Sequence, residues 1–472
     1  MSPSGDLAAA DGTEAALIGS GQPSPAAGLV PLRGGRVAAT LLIALWGILL
    51  SPIWSLCVVL ALVLALDLAL SAFRSALAVV GLRRPAQVRR PPPAPEEELP
   101  EYSVLVPLYD EANVVPALIR HLSLLDYPAN RLEILLLCEA RDTGTIGAVE
   151  AARPDGRFRL LIAPEGEPQT KPRACNLALA RARGELCVIY DAEDRPDLDQ
   201  LRVAAAMFAV SEAPVVCLQA RLDFYNHAHN WLTRCFTVDY AYQFDLVLPA
   251  LAALGLPLPL GGTSNHFLVD RLRALGGWDP YNVTEDADLG MRIYRAGART
   301  DLLDSTTSEE ACSRVPAWTR QRTRWMKGHL QTWLVHTRSP SFGDIPWGAR
   351  TAFRALIGGQ PVLAALGVPQ LALSVGALIL LLTGNTLLPG AILVAIPAAT
   401  LGSSALSVAT SAIAMLARRR ANLITAVLST PAYRLLAGVA AYRAIWQLFR
   451  RPHYWEKTPH GLCGTADPGR TG

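Results

Sequence analysis

Apolar runs at 37–51, 53–73, 354–383 and 387–416 bracket a polar stretch, 101–340, that holds most of the charge in this 472-residue chain. A helix needs about 20 apolar residues to cross a bilayer, so the partition predicts membrane helices around a water-facing domain. Charged residues make up 18% of the chain, below the roughly 25% of soluble domains. Mean hydropathy is +0.26. Arg33 and Arg36 precede the first run, and Arg74, Arg83, Arg84, Arg89 and Arg90 follow the second. By the positive-inside rule both ends are cytoplasmic and the pair is a hairpin, with Pro52 between its arms. The triplet RRR at 418–420 returns the chain to that side. The segment 422–449 carries Arg434 and Arg443 and reads as an interfacial or re-entrant helix pair, with a fifth span as the alternative. Asp67 interrupts the second run near its inner end, where its carboxylate is expected to reach headgroups.

The resulting plan is a disordered cytoplasmic tail over 1–36 and a transmembrane hairpin over 37–80. A Pro-rich linker, 81–100, leads to a catalytic domain over 101–340. Transmembrane and interfacial helices follow over 341–450, and a cytoplasmic tail over 451–472. Inside 101–340 the runs YSVLVPL, LEILLL and LCVIY each lead into a polar loop and a helical stretch. That rhythm predicts an α/β domain with a mostly parallel sheet, whose ligands lie beyond the carboxyl ends of the strands. The net charge of +3, without a basic stripe interleaved with aromatics, argues against nucleic acid as a partner. Eight scattered cysteines with no CxxC pair read as core residues in a reducing compartment.

Four carboxylates, Asp191, Glu193, Asp194 and Asp197, crowd the stretch YDAEDRPD directly after the run LCVI. Like charges so close resist ionising together, so a positive partner is expected. An acid pair one residue apart at a strand end can hold a hard divalent cation. Three further stretches share the region. VPLYDEA sets Tyr109 and Glu111 at the end of the first strand. TEDADLG places Glu285 and Asp286 at a helix start, and QRTRW puts Gln321, Arg324 and Trp325 on one helical face. Guanidinium suits phosphate, and an aromatic face suits a sugar ring. HAH at 227–229 lacks a third ligand at metal spacing, and NVT at 282–284 is a chance sequon in a domain placed inside the cell.

With these motifs the chain resembles the membrane-embedded glycosyltransferase family 2 enzymes, the cellulose, curdlan, chitin and hyaluronan synthases among them. The resemblance implies a GT-A (Rossmann-like) domain inserted between transmembrane α-helices of the inner membrane, with the domain cytoplasmic. It implies that Tyr109 and Glu111 contact the uridine, that Glu139 and Asp142 of LCEARDTGT occupy the first acidic motif, and that Lys171 and Asn176 of TKPRACN lie beside the nucleotide. Asp191 and Glu193 then resemble the DxD that holds Mg²⁺ or Mn²⁺ against the diphosphate. Asp286 resembles the general base, with Glu285 beside it on the acceptor side. Gln321 and Arg324 resemble the pyrophosphate set, and Trp325 the platform for the acceptor sugar. Two positions depart from the family pattern: the second DxD acid is Glu193, with Asp194 behind it as a substitute, and the first motif contains Arg141.

The implied reaction is inverting transfer of a hexose from a UDP-sugar to a growing β-glycan, with coupled secretion of the polymer and envelope export subunits as further partners. A single-addition glycolipid synthase with a lipid acceptor shares the motifs, and a non-catalytic glycan- or nucleotide-binding membrane protein is the alternative from another class. MKGHLQTWLVHTR, after QRTRW, reads as an amphipathic helix at the bilayer surface.

Overall fold

The computed structural model describes residues 52–83, 90–92, 94–211, 214–384 and 388–456. The expectations for the tail 1–36, for the first apolar run and for the tail beyond Glu456 therefore lie outside the described residues.

Helix α1, Pro52–Arg83, leads through Arg90, which bonds Asp199, to the α/β domain. Eight strands follow in the chain: β1 Tyr102–Leu108, β2 Leu132–Glu139, β3 Phe158–Ala163, β4 Leu186–Ile189, β5 Arg195–Pro196, β6 Val215–Phe224, β7 Asn265–Leu268 and β8 Arg299–Glu309. They form one sheet in the order β3-β2-β1-β4-β7-β6-β8-β5. β1 to β4 pair in parallel, β7 runs antiparallel to both β4 and β6, and β8 is parallel to β6. The central strands are buried on both faces, as apolar runs in parallel sheets must be.

Short helices cross between the strands: α2 Val115–Ser123, α3 Thr143–Ala152, α4 Lys171–Arg181, α5 Gln200–Val210, α6 Trp231–Ala241, α7 Leu248–Ala253, α8 Val269–Ala274 and α9 Glu285–Arg295. A π-helical stretch, Tyr242–Val247, joins α6 to α7. In the polar strand β7 the buried His266 is met at both ring nitrogens. Tyr102 Oη lies 2.5 Å from His266 Nδ1, and Gln200 Oε1 lies 3.2 Å from His266 Nε2. Burial pushes that imidazole down to about 3, so it is neutral.

Helix α10, Val315–Arg338, then leads to α11 Trp347–Phe353, α12 Gly359–Leu382, α13 Gly390–Ala417, α14 Ile424–Leu428 and α15 Thr430–Arg450. Among the described residues three helical stretches are long and apolar enough to cross a membrane: Cys57–Arg83, Trp347–Leu382 and Gly390–Ala417. α15 is not one of them and packs along α10 and α12.

Asp67 does not reach outward. It is buried, accepts from Gln370 Nε2 at 3.0 Å and lies 3.6 Å from Arg434 of α15, because an apolar surround leaves a carboxylate only paired positions. At the other end of the spans, Arg418 bonds Asp223 at 2.8 Å and also Asp245, and Arg420 meets Asp223 at 2.6 Å. Two arginines of the apolar block thus grip the end of β6 and the π-helical stretch.

Candidate active site

A cavity of about 700 Å³ opens where β1, β2 and β4 end, bounded by α9, α10 and residues 453–455. Tyr109, Glu111, Glu139, Lys171, Asp191, Glu193, Glu285, Asp286, Gln321, Arg324 and Trp325 all line it. Residues separated by more than 200 positions in the chain are brought to one hollow at the strand ends, where α/β sheets place their ligands.

The acids after β4 divide into two jobs. Asp194 is buried and accepts from the Asp191 backbone N–H at 2.7 Å and from the Thr263 hydroxyl, so it holds the loop. Asp194 does not line the cavity and is not a stand-in for Glu193. The positive partner within the protein is Lys171, at the start of α4, whose Nζ stands 2.5 Å from Asp191 Oδ1 and 2.7 Å from Gly262 O. Burial works against this ammonium, but Asp191 and Glu285 outweigh it and raise its pKa.

One lysine does not satisfy the set. Burial and the charges of Asp191 and Glu193 push Asp194 well up. Burial and the same acids do so to Glu309 at the end of β8. Asp194 Oδ1 and Glu309 Oε1 are buried with no hydrogen-bond partner. A carboxylate set short of positive charge fits a divalent cation. Among the described residues, however, no three His, Cys, Asp or Glu side chains are gathered as a ready cage. His227 of HAH instead contacts Phe224 O.

Glu285 and Asp286 open α9, where a helix N-terminus favours carboxylates. Burial first, then the neighbouring Asp286, pushes Glu285 up to about 7. Burial also raises Asp286, opposed by the Ala287 N–H and by Lys171 and Arg324.

Helix α10 meets α9 along a seam spaced by four. Gly328 sits against Thr284, Thr332 Oγ1 accepts from Asn282 Nδ2 at 2.9 Å, and His336 Nε2 lies 2.9 Å from Asp288 Oδ1. Asn282 is therefore fully buried, and the sequon NVT is closed to modification. The polar face of MKGHLQTWLVHTR is likewise turned into protein: Lys327, Gln331, Thr332 and His336 are buried, in place of the surface-lying helix expected.

Lys327 donates to Tyr454 O at 2.7 Å and to Arg451 O at 3.2 Å, and Gln331 to Pro452 O at 3.0 Å. These bonds hold the segment 451–456 beside the cavity, and Arg324 lies over the Trp455 ring at 4.5 Å. Trp325 packs against Tyr240 at 6.3 Å, nearly parallel, and meets the cavity with its free part.

On the wall beyond β1 and β2, Arg141 lies over Tyr109 at 5.1 Å, and Glu139 is 4.0 Å from Arg173. Two expected residues stand behind the cavity wall. Asp142 caps α3, accepting from Thr145 N at 3.1 Å and Asp110 N at 2.5 Å, so it shapes the loop that carries Tyr109 and Glu111. Asn176 is fully buried and exchanges both its amide bonds with the Trp278 backbone. Sequence reasoning did not single out Tyr240, Glu309, His329, His453 or Tyr454, all on the cavity wall. For His329 a signal was available, since it lies one turn beyond Trp325.

A mixed sheet of this order, with acids at the strand ends and apolar helices at its flanks, is the GT-A-like fold of the glycosyltransferases. Residues 103–257 match the family model for glycosyl transferase family 2, and residues 186–418 match that for glycosyl transferase family group 2. The chain thus carries a family 2 glycosyltransferase domain.

A beta-monoglucosyldiacylglycerol synthase of Synechocystis is 25% identical over 275 residues, 58% of this chain and 57% of the relative. A probable glucomannan 4-beta-mannosyltransferase of Arabidopsis thaliana is 24% identical over 240 residues, 49% of this chain and 43% of the relative. The chain spans about half the length of these curated relatives. The mannosyltransferase of Pyrobaculum calidifontis, solved with GDP-Man and Mn²⁺, has the same fold at 20% identity and a TM-score of 0.51, over 82% of this chain and 99% of that one.

Proposed function

We propose that this protein is an inverting, membrane-bound hexosyltransferase that draws on a UDP-sugar and extends a β-glycan. The observation that carries the reading is the placement of Asp286 in the cavity that Asp191, Lys171, Gln321 and Arg324 also line. In this reading Tyr109, Glu111 and Glu139 meet the nucleoside, with Asp142 and Asn176 shaping the walls behind them. Asp191 and Glu193 would hold Mg²⁺ or Mn²⁺, which supplies charge neutralisation at the diphosphate when bound. Asp286 takes the proton of an acceptor hydroxyl as its oxygen bonds to the sugar C1. The bond from C1 to the diphosphate breaks on the opposite face, and the nucleoside diphosphate leaves toward Gln321 and Arg324. General-base help of this kind contributes about 10²–10⁴ in rate. Preorganised cations meet the charge developing on the leaving group.

A second reading has a specific observation behind it. A relative covering 58% of this chain is named as a glucosyldiacylglycerol synthase, so the acceptor in this reading is a lipid. One experiment separates the two. Membranes containing the protein are given radiolabelled UDP-glucose, UDP-N-acetylglucosamine or GDP-mannose, with Mn²⁺ or with EDTA, and products are split by solvent extraction. Metal-dependent label in insoluble, glucanase- or chitinase-sensitive material supports the polymer synthase. Label in the organic phase supports the glycolipid enzyme. A protein that incorporates from no donor, in membranes where it is folded, counts against both.

A further inference from the structure

A second hollow, of about 120 Å³, lies between α1, α6, α10, α12, α13 and α15, and Arg74, Asp239, Arg322 and Gln360 line both it and the larger cavity. Three guanidiniums face this hollow, Arg74, Arg322 and Arg434, against one carboxylate, Asp239. Arg322 takes that carboxylate, donating to Asp239 Oδ2 at 2.6 Å and to Tyr433 Oη at 2.9 Å. Arg434 stands 3.6 Å from Asp67, beyond hydrogen-bond reach, and Asp67 already accepts from Gln370. Arg74 has no carboxylate partner among the described residues. Its Nε reaches only the Tyr242 hydroxyl, at 3.4 Å, and its guanidinium lies over that ring at 5.0 Å. Three guanidiniums against Asp239 and Asp67 leave one positive charge in excess. We propose that Arg74 and Arg434 form a subsite in this hollow that binds an anionic phosphate group.

The chemistry follows from which donors are left over. Both arginines are half-buried, and among the described residues their terminal nitrogens make no hydrogen bond. A guanidinium presents paired N–H groups that match two phosphate oxygens. α1, α12 and α13 belong to the three stretches long and apolar enough to cross a membrane. An excess charge between such helices is costly unless an anion meets it. Water solvates the charge but brings no opposite one. Basic pockets between membrane helices suit anionic lipid headgroups, and Ser407, Thr410 and Ser411 add hydroxyls to the lining. A zwitterionic headgroup carries an ammonium that the guanidiniums repel. Free phosphate offers the same oxygens as a headgroup, without the acyl chains.

The test titrates full-length, detergent-solubilised protein with phosphatidylglycerol or phosphatidylcholine and reads bound lipid by native mass spectrometry. Inorganic phosphate is added as competitor, and its effect on the melting temperature is measured. Wild type is expected to bind phosphatidylglycerol about tenfold more tightly than phosphatidylcholine, the worth of a charge-assisted hydrogen bond. Arg74→Gln should bring that ratio to about twofold or less. Asp67→Leu/Arg434→Leu, which removes one arginine together with its counter-charge, should do the same, and it carries the test if Arg74→Gln does not fold. Arg450→Gln takes the same charge from the exposed end of α15 and should keep the ratio. Displacement of the lipid by inorganic phosphate supports a site that takes the free ion as well. Preference without displacement supports a headgroup site. A wild type with no lipid preference, and a melting temperature that phosphate leaves unchanged, overturns the assignment. So does a ratio kept in both hollow variants, or lost as far in Arg450→Gln. Binding is read directly, so failure of the transferase reading would leave this site standing.

Discussion

Gly328 of α10 lies so close to Thr284, the residue at the start of α9, that a Cβ added there would stand 2.5 Å from Thr284 Cγ2 and 2.7 Å from its backbone nitrogen. The two helices that carry Asp286 and Trp325 are therefore set at a separation only glycine permits. Gly328→Ala must push them apart. Overpacking of this kind costs about 1–3 kcal/mol, and a displacement near 1 Å at reacting groups costs on the order of 10²-fold in rate. A lowered melting temperature together with a depressed transfer rate is expected. An alanine variant that matches wild type in both would remove the seam from the account.

Asp286→Asn is expected to lower transfer by about 10²–10⁴ while nucleotide binding, read by isothermal titration, is retained. The base works only when deprotonated, so the rate should rise with pH through the titration of the Glu285–Asp286 pair. Glu285 is lifted to about 7, first by burial and then by Asp286. Glu285→Gln removes that step, and the acid limb of the rate profile should move to lower pH. An unmoved limb would show that the two carboxyls do not titrate together.

Asp288 is a stability element of the same helix. Burial would raise its pKa, but Arg292 and His336 outweigh it and hold the carboxyl well below the usual range. Its contribution is complete above the unfolded carboxylate value of about 3.9 and is lost as pH falls through the depressed folded value. Breaking a buried pair by removing one partner costs about 3–5 kcal/mol. Asp288→Asn should thus melt well below wild type at pH 7, with a gap that narrows only in strong acid. A gap that closes between pH 7 and pH 5 would point to another group.

Removal of divalent cations should weaken UDP binding by about tenfold or more, since charge at the diphosphate is then left unmet. Asp191→Asn should abolish the difference between Mn²⁺ and EDTA in that binding, because Asp191 faces the cavity. Asp194→Asn should act differently, by loosening the loop and lowering thermal stability. If Asp194→Asn alone abolished the metal effect, the division of roles among the acids would be reversed.

Asp67 is buried and Arg434 partly so, and the two should behave as a coupled pair. Arg434→Leu leaves the Asp67 charge uncompensated among apolar helices, at a cost of about 3–5 kcal/mol, and Asp67→Leu leaves the more exposed Arg434 at a smaller one. The double leucine variant should recover most of the lost folded yield, read by size-exclusion of detergent-solubilised protein. Failure of the double variant to improve on both singles would mean that the two charges act separately.

The parts of the fold visible in the sequence are those with local signatures. YSVLVPL, LEILLL and LCVI became strands because apolar runs between turns have few other fates. The acids that follow them, and the carboxylates opening α9, stand where those local patterns place them. What could not be read was pairing across the chain. Lys171 finds Asp191 at 2.5 Å through the packing of α4 against β1 and β2, and Asp67 finds Arg434 through three helices. β7 and β8 were invisible as strands because polar residues interrupt them and find their partners, where they have them, only across the folded sheet. NHFL and RTDLLDSTTSE carry no strong apolar alternation. Asp142 and Asn176 show the reverse error: a motif position marked them, and the fold uses both to hold backbone.

The grip of Arg418 and Arg420 on Asp223 and Asp245 sets a fixed elevation. The domain cannot pivot on a loose tether, because β6 and the last turn of α13 move as one piece. If Asp286 is the base proposed above, its chemistry is done at a constant height relative to the apolar helices. In that reading it is the acceptor that must travel to that height, and each cycle of addition must end with the product displaced from it.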